Sequence, residues 1–183
     1  MARKWFAVFS HTGSEIAAVS KHIGREPDAI LTTNYAYKGL LNVAKGYPAF
    51  VNAFLEAVAE DAPGCLITLH GYRHLIPADV LKLLYAHNCT CLNIHPAPIW
   101  RYPELRGIDP HKRLYEGVQA DNYHIIGVTI HHVDEGIDTG MLYHSKQRIA
   151  LPQQSFEEMC SVLHDMGTDA WCEILPELLE GVE

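Results

Sequence analysis

The chain lacks what would place it in a membrane, in a disulfide framework or on a polyanion. No apolar run in its 183 residues approaches the roughly 18 of a membrane-spanning helix. Arg3 and Lys4 before Trp5-Phe6-Ala7-Val8-Phe9 faintly imitate a secretory signal, but the apolar part is too short and reads as a first strand. The five cysteines, Cys65, Cys89, Cys91, Cys160 and Cys172, form no C-x-x-C pair, and their odd number suits a reducing compartment, so a cytoplasmic location is expected. Positive charge is also scarce. Fourteen Lys and Arg against 22 Asp and Glu leave a formal charge of −8, which opposes binding to nucleic-acid phosphates. Neither nucleic acid nor a membrane is an expected partner. Internal repeats and low-complexity segments are absent as well.

What is present reads as one domain over residues 1–183. Short β-branched or apolar runs alternate with segments of helical periodicity. The strands are Trp5 to Phe9, Asp28 to Thr32, Cys65 to Leu69, Cys89 to His95, Ile125 to Val133 and Met141 to Ile149. Helices are expected after Ser14, from Pro48 to Ala59, from Pro77 to Leu84, from Asp109-Pro110 to Tyr115, and after Ser155. Such alternation predicts an α/β fold: a doubly wound, mainly parallel, Rossmann-like sheet with a cleft at the strand C-terminal ends. Residues 33–63 read as loop and helix only, which would leave the sheet one strand short of the usual arrangement.

Chemistry concentrates in two stretches. Leu92-Asn93-Ile94-His95-Pro96-Ala97-Pro98 ends an apolar strand, and Asn93 and His95, two positions apart, project on one face of it. An amide donor and an imidazole are thus expected to meet over one reacting atom. The second stretch, Gly127 to Gly140, carries His131, His132 and Asp138. Singly, each is ordinary: a packed histidine, an aspartate capping a turn, an asparagine tying two strands. Together they supply an oxyanion donor, a proton carrier and a carboxylate to orient it. No Ser or Cys stands among them, so the nucleophile is expected to be a substrate amine attacking an activated carbonyl. Ser10-His11-Thr12-Gly13-Ser14, between a strand and a helix, is either an ordinary turn or an anion site at a helix N-terminus.

Asn93-x-His95-Pro96, followed by His131-x-Val133 and Asp138-x-Gly140, resembles the folate-dependent formyltransferases. That family includes glycinamide ribonucleotide, methionyl-tRNA and sugar-nucleotide formyltransferases. The resemblance implies that Asn93, His95 and Asp138 are catalytic and move formyl from 10-formyltetrahydrofolate to a primary amine, with Asp138 charging His95 and relaying the amine proton. It further implies a folate pocket from Gly71, Tyr72, Arg73, His74 and Leu75 with Val133, Asp134, Glu135, Gly136 and Ile137, Arg73 being a candidate partner for the folate glutamate tail. Thr12, Gly13 and Ser14 would hold an acceptor phosphate.

Some features depart from that pattern. His95 and Asp138 stand 138 − 95 = 43 positions apart, longer than the family habit, with extra residues around 99–106 and 119–123. No acceptor-binding glutamate is found in Leu163-His164-Asp165-Met166-Gly167-Thr168, where glycinamide ribonucleotide enzymes place one. The chain ends soon after its last helix, whereas the tRNA enzymes carry a further domain. A small phosphorylated amine is therefore the expected acceptor, glycinamide ribonucleotide first and an amino-sugar nucleotide second, acted on by a monomer or homodimer. A formyltetrahydrofolate hydrolase or an inert folate-binding protein are the alternatives. His87, Cys89 and Cys91, with His131-His132, suggest zinc, but alternate residues of one buried strand are poorly spread for a tetrahedron, and no metal is expected.

Overall fold

Strand β1 (Trp5–Phe9) is buried along its whole length, as is β4 (Leu66–His70). Such runs suit only a sheet covered on both faces. The computed structural model describes residues 2–39 and 41–180 and has that arrangement. One mixed seven-stranded sheet runs β3-β2-β1-β4-β5-β6-β7, adding β2 (Ala29–Thr32), β3 (Ala44–Lys45), β5 (Thr90–His95), β6 (Ile125–His132) and β7 (Leu142–Ile149). The strands from β3 to β5 are parallel, and β6 and β7 join antiparallel.

The pleat sorts side chains onto the two faces of the sheet. Trp5, Leu66, Leu92, Ile126, Val128 and Ile130 pack with α4 (Pro110–Gln119) and α5 (Phe156–Glu180), through Leu114, Val118, Leu163 and Trp171. Helix α1 (Ser14–Ile23) lies on the same side, with Val19 in that core. Phe6, Val8, Ile67, Leu69 and Cys91 pack on the other side with α2 (Pro48–Asp61) and α3 (Ala78–Ala86), through Val51, Leu55, Val80 and Leu84.

The doubly wound α/β expectation holds, with two differences in detail. Residues 33–63, read as loop and helix, also contribute β3, whose two exposed residues pair with Leu31 and Thr32. Two residues are too few to display a strand period, so the sheet is not short of a strand there. Helix α4 runs on past Tyr115 to Gln119, because Gly117 and Val118 are buried against the rest of the fold.

Candidate active site

The sheet delivers Asn93 and His95 at the C-terminal end of β5, on the face that carries Cys91. Antiparallel pairing sets Asn93 opposite His131 and His95 opposite Thr129, so His131 joins the same face and His132 turns to the other. Asp138 comes from the connection between β6 and β7. It is a non-glycine residue at φ 53°, a left-handed conformation that aspartate tolerates better than most.

That connection is folded on itself. Asp134 Oδ1 accepts from the Gly136 N–H at 3.1 Å and from the Thr139 hydroxyl at 2.7 Å, and His132 N–H bonds the Met141 carbonyl. Gly140 is required at the return, since a Cβ there would collide with the His132 carbonyl.

The Asp138 carboxylate lies between the two β5 side chains. His95 Nδ1 is 3.1 Å from Oδ2, and the Gly107 N–H donates to the same oxygen at 2.9 Å. Asn93 Nδ2 is 3.3 Å from Oδ1, which also lies 3.4 Å from His131 Nε2. Burial by itself would raise this carboxyl. Hydrogen bonds from His131 and His95, the His95 charge and the Gly107 N–H outweigh it and hold Asp138 well below the usual carboxylate range.

The point over which Asn93 and His95 were expected to meet is thus occupied by Asp138. His95 Nε2 donates to the Leu105 carbonyl at 2.9 Å, so both ring nitrogens face oxygen acceptors, an arrangement satisfied by the doubly protonated ring. Asn93 keeps something in reserve. Its Nδ2, His131 Nε2 and Asp138 Oδ1 form a nearly equilateral triangle with sides 3.2, 3.3 and 3.4 Å. Asp138 Oδ1 and His131 Nε2 therefore subtend roughly 60° at Nδ2, about half the ~120° between the two N–H bonds of a planar amide. Only one N–H can point toward that pair, and the other has no partner among the described residues.

The remaining predicted residues lie in two further loops and in the connection between β6 and β7. Gly71, Tyr72, Arg73, His74 and Leu75 follow β4, where Arg73 N–H bonds Ser10 Oγ at 3.1 Å and ties this loop to the one after β1. The Tyr72 hydroxyl is buried without a hydrogen-bond partner among the described residues, and burial pushes it up to about 12. It is a donor available to a bound molecule. The Val133 carbonyl is taken by Tyr85 Oη, Glu135 pairs with Lys82 at 3.4 Å on the surface, and Ile137 stands half exposed.

In the loop after β1, Gly13 (φ 64°) precedes α1, with a Cβ position 3.0 Å from the Phe9 ring. Thr12 Oγ1 and Ser14 Oγ are 2.9 Å apart, and Ser14 Oγ meets His164 Nε2 of α5 at 3.1 Å. Of the groups sequence reasoning passed over, Gly107 and Leu105 hold the cluster through backbone atoms, which leave no side-chain signal. Glu15 and His70 could have been found, as an acid directly after the anion loop and a buried histidine ending β4. Among the described residues no group of three or more His, Cys, Asp or Glu could hold a metal ion. Cys65 and Cys89 stand side by side just before β4 and β5, at the strand ends away from Asn93 and His95, as buried free thiols.

A sequence model described as formyl transferase matches residues 27–175. The chain belongs to the formyltransferase family, whose members are folate-dependent. It is 32% identical over 128 residues to methionyl-tRNA formyltransferase of Desulfotalea psychrophila, covering 70% of this chain and 36% of that protein. The Thermus thermophilus enzyme of the same name is 33% identical, with 70% and 38% covered. The chain thus spans little more than a third of the curated relatives it matches. In fold it is similar to glycinamide ribonucleotide transformylase 1 of Geobacillus kaustophilus (TM-score 0.78, 22% identity, 98% of this chain and 100% of that one). It is also similar to phosphoribosylglycinamide formyltransferase of Anaplasma phagocytophilum (TM-score 0.77, 19% identity, 94% and 85%).

Proposed function

We propose that this formyltransferase moves the formyl group of 10-formyltetrahydrofolate to the primary amine of a small, phosphorylated acceptor. The observation that carries the reading is the convergence of Asn93 and His95 on the two oxygens of Asp138, with one Asn93 N–H unused among the described residues. In this reading the amine nitrogen attacks the formyl carbon. Asn93 donates its free N–H to the oxygen that becomes negative, and the His95 imidazolium, held by Asp138, supplies positive charge beside it. Collapse breaks the bond from the formyl carbon to folate N10, and the proton lost by the amine ends on N10. Asp138, held far below the ordinary range, is a weak base, so its part is to orient His95 and steer that proton through water rather than to keep it.

The pocket assigned to the folate is supported by the Tyr72 hydroxyl of the loop at 71–75, buried without a partner among the described residues. The acceptor phosphate is assigned to Thr12, Gly13 and Ser14 at the start of α1. The charge of −8 favours a small acceptor over a transfer RNA.

The test is consumption of 10-formyltetrahydrofolate with glycinamide ribonucleotide, with an amino-sugar nucleotide and with no acceptor. Consumption that requires one of the amines supports the reading. Equal consumption in all three identifies a hydrolase, and absence of folate binding by calorimetry removes the assignment.

A further inference from the structure

A second polar network, outside the Asn93 cluster, lies on the other face of the sheet, between it and helices α1 and α5. Trp5 Nε1–H donates to Thr68 Oγ1 at 2.9 Å, and Thr68 Oγ1 lies 2.9 Å from His70 Nε2. His70 Nδ1 meets Glu15 Oε1 at 2.5 Å, and Trp171 Nε1–H donates to the same oxygen at 3.0 Å. Donors can be assigned without conflict as Trp5 to Thr68, Thr68 to His70, and His70 to Glu15, with Trp171 joining at the carboxylate. Every member but one is satisfied.

The exception is Glu15 Oε2, which takes no hydrogen bond among the described residues although the side chain is only 16% exposed. The oxygen is not sealed from solvent, since the buried polar atoms that lack a partner do not include it, and a bound molecule can reach it as water does. The fold makes room for it. Helix α5 presents Gly167 at this contact, where a Cβ would lie 2.6 Å from Oε2 and 3.2 Å from Ile94 Cδ1. Ile94 stands between Asn93 and His95 in the chain, so Oε2 lies across the end of β5 from the Asn93 cluster. Ser14, with its contact to His164, adjoins Glu15 on α1.

We propose that Glu15 is an acceptor-recognition residue, its Oε2 accepting a hydrogen bond from an O–H or N–H of the acceptor other than the amine that is formylated. Oε1 is the anchor, fixed by His70 and Trp171, and Oε2 is the reading end. The assignment rests on formyl transfer to a small amine as the function.

Glu15→Gln separates this role from a structural tie. The amide oxygen still accepts from His70 and Trp171, while the reading oxygen becomes an NH2 that cannot accept. Steady-state rates with 10-formyltetrahydrofolate are compared for parent and variant, using whichever of glycinamide ribonucleotide and an amino-sugar nucleotide the parent formylates. The expected result is an acceptor KM raised about tenfold or more, as for a lost hydrogen bond to a charged group, with the folate KM and melting temperature unchanged. Glu15→Asp, which keeps the charge but withdraws the reading oxygen, is expected to raise the acceptor KM as well, and it carries the test should the glutamine variant fail to fold. An unchanged acceptor KM in the folded variants overturns the proposal. So does a joint rise of both KM values with a fall in melting temperature, the pattern of a purely structural tie. Transfer by the parent to neither amine removes the functional reading, and this assignment with it.

Discussion

Asp138 is the residue whose environment decides most, because it alone touches Asn93, His95, His131 and the Gly107 backbone. Its carboxyl is held well below the usual range, below the ordinary unfolded value near about 3.9. The sign of the pH effect follows: the stabilisation is fully present above the unfolded value and is lost as the pH falls toward the folded one. Replacement by Asn keeps a residue that tolerates φ 53° and removes the charge. The melting temperature of Asp138→Asn is therefore expected to lie below that of the parent near neutral pH, with the gap closing below about pH 4. A gap constant across that range would mean that the carboxylate is not held by its histidines. Asn93→Ala removes the free amide donor and is expected to lower kcat about 10²- to 10³-fold, as for other oxyanion donors. Parent-like turnover in that variant would remove Asn93 from the chemistry.

At the level of elements, the connection from β6 to β7 carries the site, and its shape depends on a tight return at Gly140. Gly140→Ala sets a Cβ against the His132 carbonyl, which belongs to a strand and cannot yield cheaply. We expect a loss of about 1–3 kcal/mol in urea unfolding, the ordinary cost of overpacking. Turnover should fall further than the stability loss explains, because Asp138 lies two residues away. An unchanged rate would show that the loop need not hold this form. Much of this element was legible in the sequence. Alternation along 89–95 placed Asn93 and His95 on one face, because a period of two leaves no freedom once a strand is buried, whereas His131 was reached through its motif. Asp138 was reached through its motif rather than through spacing. β3 escaped notice because two exposed residues carry no pattern. The contacts of Leu105 and Gly107 with the cluster are backbone contacts over about 30 residues or across a turn, which no side-chain periodicity announces. Glu15 and His70 could each have been singled out by position, but not their pairing, since its partners come from α1, β4 and α5 and meet only when the helices close over the sheet.

Across the whole molecule, the parallel pairing of β1, β4 and β5 brings their C-terminal ends to one side of the sheet, where the loops at 10–14 and 71–75 are tied together. The formal charge of −8 opposes binding of the described chain to a polyanion. Filter retention of initiator methionyl-tRNA at physiological salt is expected to be negligible. Retention followed by formylation of the methionyl amine would replace the small acceptor with that RNA. The most direct test of the central claim follows the formyl carbon itself. With 10-formyltetrahydrofolate labelled at that carbon and an acceptor amine present, the account predicts one labelled formamide on the amine for each tetrahydrofolate released, and loss of both products in Asn93→Ala. Label recovered as free formate, in equal amount with and without the amine, would contradict it.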